Sequence, residues 1–193
     1  GPMTNVLLAT ADNIADSDLL ISVDGSNNAT FTTNNEIWIL AGKTYFPGAN
    51  VTAGSIEILS TAVFSPEANT VTLTNSGTPF TVTGTFTEGT STITYTGGSA
   101  TNVTGTTYYN LTLNHTGTTF TSAADSTVKG VFTITAGTFD ASDDTLILAG
   151  SGTPLVNNGT FTASTSTVKY TGAVNTQIAS ATQDRKSTRL NSS

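Results

Sequence analysis

The chain has 193 residues, of which 43 are Thr, 18 Gly and five Pro, with 10% charged residues and a net charge of -7. So acidic a surface, with six Lys and Arg in all, excludes nucleic acid and anionic lipid as expected partners, because both require clustered cations. The absence of Cys excludes disulfides, Cys-based metal sites and thiol nucleophiles, and no run reaches the roughly 18 apolar residues of a membrane span, so no membrane insertion is expected.

Gly1 and Pro2 before Met3 look like the remnant of a cleaved expression tag. Met3 to Asn35 is the least regular stretch, with Asp12, Asp16, Asp18 and Asp24 and one apolar run from Leu19 to Val23. We expect residues 4–35 to be an N-terminal cap or a degenerate rung. From Glu36 the pattern firms. Ile37 to Ile39, Tyr45 and Phe46, and Ile56 to Ile58 read as short strands between Gly-containing turns.

A long repeat organises the rest. Thr70 to Thr107 returns 75 residues later as Thr145 to Thr182, with 18 of 38 positions identical, among them Ser76 to Pro79 against Ser151 to Pro154 and Gly84 to Thr87 against Gly159 to Thr162. Fainter matches at the same spacing join Gly42 to Gly117, Tyr45 to Phe120 and Phe64 to Phe139. Such a period means a repeat architecture, and β-branched Thr with abundant Gly makes it all-β. Alternating segments at Val71–Leu73, Ile93–Tyr95, Leu111–Leu113, Val131–Ile134 and Leu146–Leu148 start 15 to 22 residues apart, which predicts about four short rungs per 75-residue repeat. The expected fold is a parallel β-helix or β-solenoid, right-handed as such crossovers nearly always are, with apolar residues inside and Thr facing water. Nine or ten rungs would make a rod of about 45 Å. Phe86, Phe139, Phe161, Tyr95 and Tyr170 are expected in the core because they occupy matched repeat positions.

At Tyr108 to Leu113, preceded by Ser91 to Gly97 and followed by Gly137 to Asp140, residues 36–182 resemble the repeats of large bacterial surface and secreted proteins, adhesin-like ones included. The resemblance implies an extracellular, right-handed solenoid acting as a stalk or adhesive fibre, with surface glycans or further repeats of the same parent protein as partners. The N-terminal copy departs from it, with Asn34 to Ile39 in place of the aromatic pair. Residues 36–183 are therefore taken as the solenoid. The final ten, Asp184 to Ser193, hold three of the six basic residues and resemble a translated sequencing adapter, as in a metagenomic fragment. They are expected to add nothing to the fold.

Chemistry-bearing residues are few. The richest acidic group, Asp140 with Asp143 and Asp144, reads as a solvated turn or, less simply, a weak calcium site. A polysaccharide-cleaving β-helix would also need a basic residue in a cleft, and only Lys129 and Lys169 are near. His115, the sole histidine, lacks a motif partner. Asn28, Asn50, Asn102, Asn110, Asn114 and Asn158 fit the glycosylation pattern, but read more simply as turn residues in the left-handed region or as ladder asparagines. No catalytic, cofactor or metal residue is assigned, and no enzyme activity is expected. Thr-x-Thr strings at Thr70 to Thr74, Thr81 to Thr87, Thr92 to Thr96 and Thr133 to Thr135 suggest an ice-binding face, provided that successive rungs keep them in register. Along the repeat they do not: Thr72 becomes Ile147, Thr74 becomes Ala149 and Thr94 becomes Lys169. Inward positions keep their class while outward ones change, which argues for a rigid spacer with neither ice binding nor polysaccharide turnover.

Overall fold

The computed structural model describes residues 19–21, 24, 31–32, 34–173, 176–177 and 188–189. Among these there is no helix, and every named strand pairing is parallel. The chain is a three-sided β-solenoid of about seven turns, about 34 Å along its axis at one strand spacing per turn.

Each turn visits three faces in fixed order. The first face begins with Leu19–Ile21, Glu36–Ile39, Ser55–Ile58 and Phe80–Val82 stacked in parallel. The second begins with Thr44–Tyr45, Val63–Phe64 and Thr85–Phe86. The third is a continuous sheet of seven: Phe31–Thr32, Val51–Ala53, Thr70–Leu73, Thr92–Tyr95, the start of Asn110–Ser122, the start of Phe132–Asp140, and Leu155–Asn157. Asn110–Ser122 and Phe132–Asp140 each turn a corner, so their second halves pair on the first face with Thr101–Val103 and Thr160–Thr162. A bridge from Gly77 to Thr101 joins the upper and lower parts of that face. Thr107–Tyr108, Ser126–Val128, Thr145–Leu148, Thr167–Tyr170 and Thr188–Arg189 carry the second face onward, with the Phe86 ring 6.3 Å from that of Tyr108 across the junction.

This topology lowers the expected nine or ten turns to about seven, and the expected four or so rungs per repeat become three and two thirds. Paired positions on the third face, from Thr52 through Thr72, Thr94, Thr112 and Thr133 to Val156, are 18 to 23 residues apart. The 15-residue step from Val131 to Leu146 is no turn, because Thr145–Leu148 lies on the second face and pairs with Ser126–Val128. Nine strands lie between Thr70 and Asp140, and two of them span two faces, so the 75-residue repeat covers eleven strand segments, or three turns and two thirds. Each copy therefore lands one face away from its predecessor. Thr70–Leu73 on the third face matches Thr145–Leu148 on the second, and Thr85–Phe86 on the second matches Thr160–Thr162 on the first.

What the repeat preserves is local. Left-handed backbone recurs at Gly42 and Gly117, Glu67 and Ser142, Gly77 and Gly152, and Gly89 and Ser164, each pair 75 residues apart. Corners stack closely enough to demand glycine: a Cβ on Gly150 would run into the carbonyl of Gly130 one turn earlier, and one on Gly172 into the carbonyl of Gly150. Aromatic ladders are copied too. Tyr45, Phe64 and Phe86 stack up the second face at 5.6 and 6.0 Å, and their matches Phe120, Phe139 and Phe161 occupy paired positions on the first.

The expected core is largely found. Phe139, Tyr95 and Tyr170 are buried, while Phe86 and Phe161 are only partly buried against the core. At the amino end, Leu19–Ile21 and Phe31–Thr32 pair as further turns. At the other end the expectation that Asp184 to Ser193 adds nothing is corrected in part: Thr188–Arg189 extends the second face by pairing with Lys169 and Tyr170, because that strand otherwise presents an unpaired edge. The remainder of that segment lies outside the described residues. Replacing fully packed Phe139 by Ala should cost about 3–5 kcal/mol in urea unfolding, and replacing half-buried Phe161 clearly less; equal losses would contradict this packing.

Candidate functional site

Outward side chains on the third face form one column. Thr32 pairs with Thr52, Thr52 with Thr72, Thr72 with Thr94, Thr94 with Thr112 and Thr112 with Thr133, until Val156 ends the series. Alternation places them there, since Val51, Val71, Ile93, Leu111 and Phe132 on the same strands point inward and are buried. Thr70, Thr92 and Asn110 form a column on one side. Thr74 and Thr96 follow the strands on the other side, their amides bonded to Ala53 and Leu73 of the preceding turn. The expectation that the Thr strings fall out of register is thus overturned. Thr72 and Ile147, or Thr94 and Lys169, are matched in sequence but sit on different faces, so their dissimilarity says nothing about either face.

Hydrogen bonding separates the columns. Thr74 and Thr96 donate their hydroxyls to the carbonyls of Ala53 and Leu73, at 3.2 and 3.1 Å, and Thr92 accepts from the Asn110 amide at 3.3 Å. The other two faces are less uniform, although on the first Thr119, Thr138 and Thr160 make a column of three beside Thr121, Asp140 and Thr162. Outward positions read Trp38, Glu57 and Thr81 on the first and Thr127, Ile147 and Lys169 on the second.

The other candidates make contacts within or between corners, or are exposed. Asp140 accepts from the Ser142 amide at 3.0 Å and the Ser164 hydroxyl at 2.7 Å, tying two stacked corners together. Asp143 accepts from the Ser142 hydroxyl at 3.3 Å. Among the described residues no three His, Cys, Asp or Glu side chains converge as a metal site would require. His115 is exposed, its Nδ1 3.0 Å from the Thr118 hydroxyl. Lys129 pairs with Glu88 two turns away. Partial burial pushes the Glu88 carboxyl up, but bonding and attraction to Lys129 leave it below its ordinary value.

The sequon asparagines divide similarly. Asn50 and Asn110 are clamps, accepting from the amides of Thr70 and Val131 in the next turn at 2.9 Å each. Asp24 and Asp125, which carry no such motif, do the same for Thr44 and Thr145 at 2.8 and 2.7 Å. Asn102 donates to Thr78 at 3.1 Å, Asn114 and Asn158 are exposed, and Asn28 lies outside the described residues. None of the described sequon residues takes the left-handed conformation. Among the described residues the non-Gly ones that do are Thr61, Glu67, Ser142 and Ser164.

One polar network lies largely inside, built on two fully buried tyrosines. Tyr108 donates to the Thr104 carbonyl at 2.6 Å, the Tyr95 and Tyr108 hydroxyls are 3.0 Å apart, and the Thr104 amide approaches Tyr95 at 3.4 Å. If Tyr95 donates to Tyr108, each group has a partner of the right kind. No signal in the sequence joined these residues, because they come from different faces of one turn. No family model, no curated protein and no solved structure matches the chain.

Burial pushes the Tyr95 hydroxyl up to about 12 from an ordinary 10.0. Burial likewise holds Tyr45 and Tyr108 well above the usual range, with the neighbouring Tyr95 adding to the rise at Tyr108. The unfolded chain releases these protons near the ordinary value, so their contribution to stability is complete below it and is lost as pH climbs through the folded values. The urea midpoint should therefore be level up to the ordinary tyrosine pKa and fall steeply above it. A midpoint level through pH 12 would contradict the buried network.

Proposed function

We propose that the chain is a non-catalytic structural segment, a stalk or adhesive fibre, of an extracellular bacterial repeat protein. The observation that carries the reading is the way polar groups are used between turns. Parallel ladders run along all three faces, and Asp24, Asn50, Asn110 and Asp125 each fasten a strand start one turn onward. Such an object gains length and stability by adding units, each of which touches only its neighbours. Chemistry on a β-helix calls instead for acids and a base converging in a cleft. Here Asp140 braces a corner, Lys129 is paired with Glu88, and Lys169 stands on the second face. The natural partners of the stalk are further repeats of its parent protein.

Incubation with a panel of acidic polysaccharides, followed by product chromatography, should show no turnover. X-ray scattering from the same sample should report an elongated particle. Cleavage of any polymer, abolished by substituting Asp140 or Lys129, would contradict the proposal.

A further inference from the structure

The third face is distinguished by what it lacks. Phe31–Thr32, Val51–Ala53, Thr70–Leu73, Thr92–Tyr95, residues 110–113 and 132–135, and Leu155–Asn157 contain no charged residue. Glu36 and Glu57 lie on first-face strands, and Lys169 on a second-face strand. The outward positions of the third face hold no aromatic residue either, so a sugar ring would find neither a stacking platform nor a converging acid. What they offer is a lattice of like groups. Five consecutive turns present Thr52, Thr72, Thr94, Thr112 and Thr133 as register neighbours. The sheet spaces these about 4.8 Å apart across strands, and about 6.6 Å from Thr72 to Thr70 or from Thr94 to Thr92 along them.

Each Thr is stiff at χ1, so its methyl and hydroxyl are held before any partner arrives, and little side-chain freedom is lost on contact. The hydroxyls of the central column are not drawn into the protein's own bonding, unlike those of Thr74 and Thr96 beside them. A partner suited to this face is uncharged, extended, periodic on the scale of a few ångströms, and rich in hydrogen-bond donors and acceptors. The surface of an ice crystal has all four properties. We infer that the third face binds ice through the methyl and hydroxyl groups of Thr52, Thr72, Thr94, Thr112 and Thr133. The inference deepens the adhesive-fibre reading by naming what the fibre adheres to.

The test uses the full chain and two outward substitutions on different faces, Thr94→Tyr in the array and Thr127→Tyr on the second face. Tyr is a strong strand former, so both variants should fold; circular dichroism and melting curves check this, with Thr72→Tyr as a second array variant. The unmodified protein should inhibit ice recrystallisation and partition into a growing ice hemisphere. Thr94→Tyr and Thr72→Tyr should weaken both several-fold, and Thr127→Tyr should match the parent. Folded parent protein without ice activity, array variants as active as the parent, or equal loss from Thr127→Tyr would each overturn the inference. So would retention on crystalline cellulose, or a dimer dissolved by Thr94→Tyr, without ice activity, since the face would then belong to a polysaccharide or to a second copy. None of these assays reads polysaccharide turnover, so failure here leaves the stalk reading to its own test.

Discussion

The structure depends on one constraint: a strand of two to four residues satisfies its backbone only when another turn lies in parallel register above or below it. The first face starts with segments as short as Leu19–Ile21, and the second with pairs of residues such as Thr44–Tyr45. None would persist alone, because an unpaired buried amide costs as much as the bond it has lost. Everything else in the chain serves that stacking. Gly150 and Gly172 let corners approach until backbone meets backbone, and Asn50, Asn110 and Asp125 reach across the gap where the ladder starts. The Tyr45, Phe64 and Phe86 ladder fills the space enclosed, each ring resting on the one a turn away.

Because the constraint acts between neighbouring turns, much of the fold was legible from short patterns. Alternation in residues 70–73, 92–95 and 110–113 named the inward side chains correctly, and the parallel solenoid followed from period and composition. The number of turns was not legible. Turn length varies from 18 to 24 residues, and nothing local distinguishes a strand on the third face from one on the second; Thr145 to Leu148 reads as well in either place. The repeat preserves corner geometry, as the left-handed pair Gly77 and Gly152 shows. It does not preserve position around the axis, since eleven segments do not divide evenly among three faces.

The same mismatch hid the Thr array. Comparison along the repeat set Thr72 beside Ile147, whereas the neighbours that decide the matter are Thr52 and Thr94. The exclusion of charge from TVTL, TITY and NLTL was visible in the sequence all along, but it acquires meaning only once those strands are known to share a face. The Tyr95 and Tyr108 pair is another feature that only three-dimensional proximity reveals. By contrast, the single histidine and the acidic turn read from the sequence as plain solvated turns; His115 is exposed and lies beside Thr118, whereas Asp140 also accepts from Ser164 a turn away.

The central claim is that each 75-residue copy steps to an adjacent face, and cysteine pairing tests it in a chain that has no cysteine of its own. Thr133 and Val156 are register partners on the third face, close enough at a strand spacing of about 4.8 Å for a disulfide. Ile147, which four rungs per repeat would set beside Thr133, belongs to the second face. Mild oxidation of a Thr133→Cys and Val156→Cys double variant should give near-complete crosslinking, whereas Thr133→Cys with Ile147→Cys should give none. Efficient crosslinking of the second pair and not the first would contradict the account.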